Sequence, residues 1–532
     1  MTRPRLLLLL ILLIAIAVRL WGLGFGLPYI IARPDETAMA GPAVGFLSGD
    51  LRPPYFEWPT LFTYATALLY VIYFYLSRPF PGHATLAAFA ESRRQSVAPF
   101  LYITRSLSAL MGVLTVWWVY AICRRLFDET IALVAALFLA LSFLHVRDSH
   151  FGVADIAMTS LVMLAVLAIL RWRDSGIRLH AAQGGLIAGL AGSTKYNGLG
   201  MCVPFIVALV ERAVDDYRAR SEKYARRRFT LALVAFSVAV AIGFFGASPY
   251  ILIDWSRFRS SISGVAEHLA EGHGVDLGRG WSYYARVVLP AAIGWPMFVA
   301  GIAGALGLLT KRFRDAAVLF AFPIAYYFVA GRGHTVFARY IIPVIPFLCI
   351  AAAWFVVTTV RALAKAATPA MRGALIAAAA IAVVAPTARK TLELDRLLAT
   401  TDNRAIVAHA LADVVPPDSS LYQSGTTYGY VPMEINGRKV ARVSSYDAES
   451  GHFESGEPDW ILLQRSPLVL YSPVLPQVDQ LVHERYVLVR RFPTGGDHPG
   501  AVYDQQDAFF LPLEGLGGLT RPGPAFDLFR KH

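Results

Sequence analysis

The sequence predicts an all-α polytopic membrane bundle of about eleven transmembrane helices, followed by a C-terminal soluble α/β domain. Three observations carry this reading. Of the 532 residues, 56% are hydrophobic and only 16% charged, with a mean hydropathy of +0.50, far from the balance of a soluble globular chain. Apolar runs long enough to cross a bilayer recur from the N-terminus to about Ala388. From Thr391 onward the chain becomes mixed and polar, with Gly, Pro and alternating segments and no apolar span. The chain therefore divides into a membrane domain, residues 1–388, and a soluble domain, residues 389–532, large enough for its own core.

The first span runs from Leu6 to about Trp21, behind Arg3 and Arg5. Ala15-Ile16-Ala17 has the look of a signal-peptide cleavage site, but the apolar stretch continues past it through Leu20, Trp21 and Phe25. A retained anchor is therefore the better reading. Further spans follow near 101–122, 130–147, 154–171, 182–194, 197–211, 229–247, 286–309, 315–331, 340–360 and 373–388. Basic residues gather between alternate spans: Arg124-Arg125, then Arg171, Arg173 and Arg178, the dense run Arg212 to Arg228, Lys311-Arg312 with Arg314, and Arg361 to Arg372. These loops are short, so the positive-inside rule puts them in the cytoplasm. The net charge of +12 is then a topological signal, and a nucleic-acid surface is not expected. The loops at 148–155, 195, 248–285 and 331–339 fall outside, with the C-terminal domain. One apolar stretch, Pro59 to Leu76, breaks this parity if it crosses. Its Tyr64, Tyr70, Tyr73 and Tyr75, flanked by Pro59 and Arg78, fit a helix held in the outer interface.

Candidate chemistry gathers at the outward ends of the spans. Pro34-Asp35-Glu36 follows the first span and presents two adjacent carboxylates. A second acidic site holds Arg147-Asp148, His150 and Asp155. If both sites open on the same side of the bilayer, they can converge on one pocket at the membrane surface, a layout suited to a lipid-borne substrate. Capping of the helix that follows is the alternative role for Asp35-Glu36, and the two roles are compatible. Lys195 lies in a Ser-Thr-Lys-Tyr-Asn-Gly break, where a lysine either snorkels or meets an anion. Arg339 and Tyr340 stand at the mouth of a span, with Pro343 and Pro346 behind them, and Arg332 and His334 share their loop. His268, Glu271 and His273 have a ligand-like composition, although their irregular spacing is more usual of a solvated loop. Trp255, Trp281, Tyr283 and Tyr284 read as interface anchors. Cys123, Cys202 and Cys349 lie in or beside spans, so the external domain carries no disulfide. There is no P-loop, GxSxG or CxxC, and a nucleotide is not expected.

Taken in order, several motifs carry a resemblance. They are Arg33-Pro34-Asp35-Glu36, Tyr55-Phe56-Glu57-Trp58-Pro59, Arg105-Ser106-Leu107, His150 to Asp155, Ser193-Thr194-Lys195-Tyr196 and Phe337-Ala338-Arg339-Tyr340-Ile341-Ile342-Pro343. This series resembles the bacterial members of the protein O-mannosyltransferase and aminoarabinose-transferase superfamily, which is glycosyltransferase family 39-like with a GT-C fold. The resemblance covers the membrane domain; each motif alone is unspecific, and their common register with a matching topology gives the signal. The stretch Asp504-Gln505-Gln506-Asp507-Ala508-Phe509-Phe510-Leu511-Pro512 also resembles tails in this group, without an assigned role.

The resemblance implies transfer of a sugar from a polyprenyl-phosphate donor to a lipid, glycan or protein acceptor on the external face of the cell membrane. Elementary chemistry agrees with it. A hydroxyl nucleophile needs a carboxylate within reach to take its proton, and a departing lipid phosphate needs a cation. Asp35 is expected as the base, with Glu36 and Asp155 orienting the acceptor or holding a divalent cation. Lys195 and Arg339, with Tyr340, are expected to bind the donor phosphate. Asp148, His150, His268, His273 and His334 are the remaining candidates for acceptor or metal contacts. A transporter or flippase is the competing class, but it would carry ionisable groups near the midplane and a repeat. Here the charges collect at span ends and no repeat is visible.

Overall fold

The structure, a computed structural model, describes residues 3–77, 85–94, 96–495 and 500–532; Arg78 lies outside them. The chain forms two compact units, Met1–Leu20 with Ala38–Leu392, and Trp21–Thr37 with Glu393–His532. A division at residue 388 leaves Trp21–Thr37 with the membrane domain, whereas the fold assigns it to the second unit. The cause is contact with the far end of the chain: Arg33 finds its buried carboxylate partner in Asp507, and Phe25 packs edge-on against Phe509 with ring centroids 6.3 Å apart.

Every stretch expected to span is helical in the first unit. Among the described residues, seven helices are long and apolar enough to cross a membrane, or up to nine if each of two bent pairs is one span. The pairs are Glu129–Ala140 with Phe143–Ser149, bent by 59°, and Gly280–Ile293 with Trp295–Lys311, bent by 115°. The two other expected spans are the helices Arg3–Leu20 and Arg178–Thr194. Arg3, Arg5 and Arg19 dilute the apolar character of the first, and glycines that of the second. Those glycines have a packing reason, because a Cβ on Gly185 or Gly189 would lie 2.2 Å or 2.3 Å from the carbonyl oxygens of Phe236 and Val240. The helix Glu222–Ala247 therefore approaches backbone to backbone, the usual arrangement where small residues line a membrane interface. Leu10, Leu13, Ile206, Val210, Val234, Val238, Ile242 and Leu306 point outward and exposed, an apolar surface that hydrocarbon would cover. The first unit has the character of a multi-pass membrane protein.

The basic loops meet one another at one end of this unit. Arg125 pairs with Asp174 at 2.8 Å, Arg173 with Asp315 at 2.8 Å, Arg314 with Asp215 at 2.5 Å and Arg361 with Asp128 at 2.5 Å. These four ion pairs link all five basic loops. At the opposite helix ends, Ser248 hydrogen-bonds both Ser193 (2.6 Å) and Thr60 (3.0 Å). Thr60 precedes the helix Leu61–Ser77, the apolar stretch that disturbed the parity. Further along that helix, the Tyr70 hydroxyl meets Thr104 at 2.7 Å, and Phe74 packs on Phe89, which stacks on Phe100. Phe100 and Thr104 open the helix Ala98–Leu126, whose far end, about 43 Å away at 1.5 Å per residue, carries Arg124 and Arg125. Leu61–Ser77 thus stays beside the helix ends remote from the basic loops.

The stretch 248–285, read above as an outward loop, contains the 17-residue helix Trp255–Glu271, none of whose residues is buried. Trp255, Phe258, Ile262, Val265 and Leu269 recur at three- to four-residue spacing, an amphipathic period that outweighs the polar composition of the segment.

The second unit is layered. Its sheet has β1 (Ser420–Gln423), β2 (Arg442–Val443), β3 (Trp460–Arg465), β4 (Tyr486–Phe492) and β5 (Ala525–Lys531) in the order β2-β1-β3-β5-β4. β2, β1 and β3 are parallel, and β5 is antiparallel to both β3 and β4. β3 is an almost wholly buried apolar run, as expected of a strand covered on both faces. Leu462 joins Val407 and Leu411 of the helix Asn403–Val414 on one side, while Ile461 and Leu463 meet Val478 and Val482 of the helix Pro476–Arg485 on the other.

Candidate active site

In the first unit, residues widely separated in sequence meet at the helix ends remote from the basic loops. Asp155 sits in the first turn of the helix Ala154–Ser175, where a carboxylate is favoured by the helix dipole. Lys195 terminates the helix Arg178–Thr194 in an extended conformation, and the chain then folds into the 3₁₀ turn Tyr196–Met201. Gly198 makes this break possible, since a Cβ there would lie 2.4 Å from the Ala191 carbonyl carbon. The turn delivers the Lys195 Nζ to 2.5 Å from Asp155 Oδ1, with side-chain exposures of only 15% and 6%. The same ammonium lies 4.7 Å from the centre of the Tyr340 ring, close enough for a cation–π contact.

Tyr340 and Arg339 belong to the 3₁₀ segment Ala338–Val344 that leads into the helix Ile345–Leu363. Pro343 and Pro346 pre-set the backbone at this entry. Tyr326 donates a 2.7 Å hydrogen bond to the Tyr340 carbonyl and so fixes the turn. The Arg339 guanidinium lies 4.2 Å from the Phe337 ring and 5.5 Å from the Tyr340 ring. Two cations thus share one aromatic wall, with Asp155 against one of them. Such a group can receive an anion, the rings holding the cations in place and the low exposure strengthening their field.

The neighbouring motifs support this corner. The Tyr196 hydroxyl donates to the Phe56 carbonyl at 2.8 Å, and Phe56 packs edge-on against Phe258. This ties the Tyr55–Pro59 motif to the Lys195 break. His273 lies 5.1 Å, ring to ring, from both His268 and Phe337. His334 reaches Asp276 at 3.2 Å, and the Gly278 backbone N–H together with His334 holds the Asp276 carboxyl below its usual range. Among the described residues, no group of three or more His, Cys, Asp or Glu side chains is arranged to hold a metal ion. Asp155, expected to orient an acceptor or bind a divalent cation, is paired with Lys195. Asp148 and His150 are fully buried: Asp148 lies 4.0 Å from Arg147, and the His150 Nδ1 lies 3.0 Å from the Val146 carbonyl. Arg332 is exposed.

In the second unit, Asp35 and Glu36 open the helix Asp35–Gly45 as its first-turn acidic pair. The turn is closed by Glu36 N–H to Arg33 O and Thr37 N–H to Pro34 O, both at 3.1 Å. Glu36 is fully buried, whereas the Asp35 side chain keeps 30% exposure, 3.7 Å from the Arg33 guanidinium. Only Asp35 of the two is open to a reactant from solvent.

Sequence reasoning did not foresee the Asp155–Lys195 pair, the Phe337 contact to Arg339, or the attachment of Arg33 to Asp507. The recurrence of a motif at residues 504–512 was the one signal for the last of these.

The fold is that of the GT-C membrane glycosyltransferases. Residues 102–242 match the family model described as dolichyl-phosphate-mannose-protein mannosyltransferase. Among solved structures, the chain is similar to ArnT from Cupriavidus metallidurans in the apo state, with 15% identity and a TM-score of 0.53 over 98% of this chain and 97% of that one. The same protein bound to undecaprenyl phosphate gives 15% identity and a TM-score of 0.52 over the same shares. The apo oligosaccharyltransferase of Archaeoglobus fulgidus gives 12% identity and a TM-score of 0.52, covering 99% of this chain and 88% of that one. No curated protein sequence matches the chain.

Proposed function

We propose that this protein transfers a sugar from a polyprenyl-phosphate donor to an acceptor on the external face of the cell membrane. The observation that carries the reading is the pair of nearly buried cations, Lys195 and Arg339, on the Phe337–Tyr340 wall. An amphipathic phosphate needs such a site at the end of a membrane helix. The similarity of fold to ArnT, solved with undecaprenyl phosphate, supports the same choice, and the GT-C fold favours an enzyme over a transporter or flippase.

The reaction is a direct displacement. Asp35 takes the proton of the acceptor hydroxyl as its oxygen attacks the anomeric carbon. The bond from that carbon to the phosphate oxygen breaks, and its electron pair leaves with the lipid phosphate. Lys195 and Arg339 hold this phosphate throughout and bind it more strongly as its charge grows. Asp155 keeps Lys195 in position, and Glu36 supports the turn that carries Asp35. The C-terminal unit lies on the external side in this scheme. Lipid, glycan and protein hydroxyls all satisfy the acceptor chemistry.

The test is incubation of the purified protein in nanodiscs with a panel of polyprenyl-phosphate sugars, following release of polyprenyl phosphate. Asp35→Asn should lower turnover by roughly 10²–10⁴-fold and leave the fold intact. Absence of release from every donor, or wild-type turnover in Asp35→Asn, would overturn the reading.

A further inference from the structure

The stretch Asp504–Pro512 lies in the same compact unit as Trp21–Thr37. We infer that Asp507 is a positioning residue for sugar transfer: it fixes Arg33, and through Arg33 the turn that presents Asp35. This rests on the assignment of Asp35 as the base.

The Arg33 guanidinium donates to the Asp507 carboxylate, and the two side chains are 1% and 2% exposed. The same guanidinium lies 3.7 Å from the far more accessible Asp35. One buried cation therefore stands between two carboxylates, one sealed and one open. A buried guanidinium without a counter-ion is costly. Asp507 meets that need at hydrogen-bond distance, while Asp35 stands 3.7 Å from the same guanidinium. Without the Asp507 charge, the anchor that fixes the Arg33 guanidinium, and with it the turn carrying Asp35, is lost.

Asp507 is itself held firmly. Its N–H donates to the Asp504 carbonyl at 3.0 Å, and its carbonyl accepts from Phe509 N–H at 2.7 Å. The preceding Gln506 carbonyl accepts from the Tyr471 hydroxyl at 2.7 Å. Ala508 and Phe510 are packed in a buried cluster with Leu468 and Tyr471, and Phe509 meets Phe25 edge-on. The other half of the link is equally constrained. Arg33 and Pro34 carbonyls accept the first N–H groups of the following helix, and the Thr37 hydroxyl adds a 2.8 Å bond to the Pro34 carbonyl. With Arg33 anchored, Asp35 has little freedom to shift.

The experiment compares Asp507→Asn and Asp507→Glu in the full-length protein in nanodiscs. Asn keeps the shape and removes the charge; Glu keeps the charge. Asp507→Asn should lower kcat by roughly 10–100-fold, the scale expected of a small displacement of a catalytic group, with the donor KM unchanged. Asp507→Glu should recover part of that loss. Hydrogen exchange at the Glu36 and Thr37 amides should rise in Asp507→Asn at unchanged melting temperature. Unchanged kcat and exchange in Asp507→Asn would overturn the inference. So would equal inactivity of both variants accompanied by a lowered melting temperature, which would mark Asp507 as merely structural. The exchange measurement needs no donor, so a wild-type protein inactive on every donor would defeat the function reading while the Asp507 link is still decided separately.

Discussion

Removing the Lys195 ammonium separates packing from chemistry at the anion site. Its Nζ lies 2.5 Å from Asp155 Oδ1, and the two side chains are 15% and 6% exposed. Lys195→Met fills the space of the stem but strands the Asp155 charge in a nearly dry site. Breaking one side of such a pair costs about 3–5 kcal/mol, large against the typical 5–15 kcal/mol stability of a domain. The single variant will therefore melt early and lose activity for two reasons at once. Adding Asp155→Asn removes the stranded charge. The double variant should return to within about 1 kcal/mol of the wild type, because replacing both partners of a polar pair is far milder than removing one. Transfer should not return with it: the donor phosphate has lost a cation whose hold strengthens as the bond breaks, so kcat/KM should fall roughly 10²–10³-fold. The assays are thermal melting in nanodiscs and donor-dependent kinetics, with Asp155→Asn alone as the reference. A double variant that melts normally and turns over as fast as Asp155→Asn would refute the role given to Lys195. An equally early melt in single and double variants would refute the pairing argument itself.

Three further outcomes are expected. Single cysteines replacing Arg93 and Arg124 should be labelled from opposite faces of the membrane, external and cytoplasmic respectively; labelling from one face would undo the placement of Leu61–Ser77. Gly198→Ala puts a Cβ 2.4 Å from the Ala191 carbonyl carbon, and since neither backbone can yield freely it should cost about 1–3 kcal/mol and misplace Lys195 enough to reduce kcat; a normal melt and rate would show that the break tolerates a side chain. In the sheet unit, the Ser420 backbone N–H and hydroxyl, both at 2.8 Å, hold the Asp459 carboxyl below its ordinary 3.8. A depressed folded-state value means a contribution present above about pH 4 and lost as pH falls through that value. Asp459→Asn should speed hydrogen exchange of β1 and β3 at pH 7, with the difference from wild type shrinking at lower pH; a difference that grows on acidification would reverse the sign argued here.

Much of the bundle was legible because charge placement in a membrane protein is governed by a few strong rules. Arginines collected in short loops between alternate apolar runs, and the structure brings those same loops together through pairs such as Arg173–Asp315 and Arg361–Asp128. The interfacial reading of Pro59–Leu76 followed from parity and from its tyrosines, and the Tyr70 and Phe74 contacts keep that helix beside Thr104 and Phe89. The helix Trp255–Glu271 is hidden in the sequence because its Trp, His and charged residues have the composition of a loop, although its apolar residues keep a three-to-four spacing. The Asp155–Lys195 pair joins residues 40 positions apart, and no local pattern announces which acid a lysine will meet. Motif order brought both residues to notice individually but could not pair them.

The hardest feature to read was the membership of Trp21–Thr37 in the second unit, and its physics explains why. Hydropathy assigns a residue by its immediate neighbours, so a largely apolar segment that continues a span looks like part of the bundle. What decides its place is the need of one buried arginine for a counter-ion, and Arg33 meets that need 474 residues away, at Asp507. A base mounted on such a turn gains something that the end of a bare span would lack. Helix ends facing lipid headgroups suit cations, whose long stems snorkel and whose charge the headgroups welcome. A carboxylate that must stay accessible and in place gains from a neighbouring positive charge that is itself immobile. A domain with its own core can immobilise such a charge, here that of Arg33, through a rigid partner such as Asp507. The Asp504–Pro512 motif is then as much a part of the proposed transfer machinery as the turn that bears Asp35.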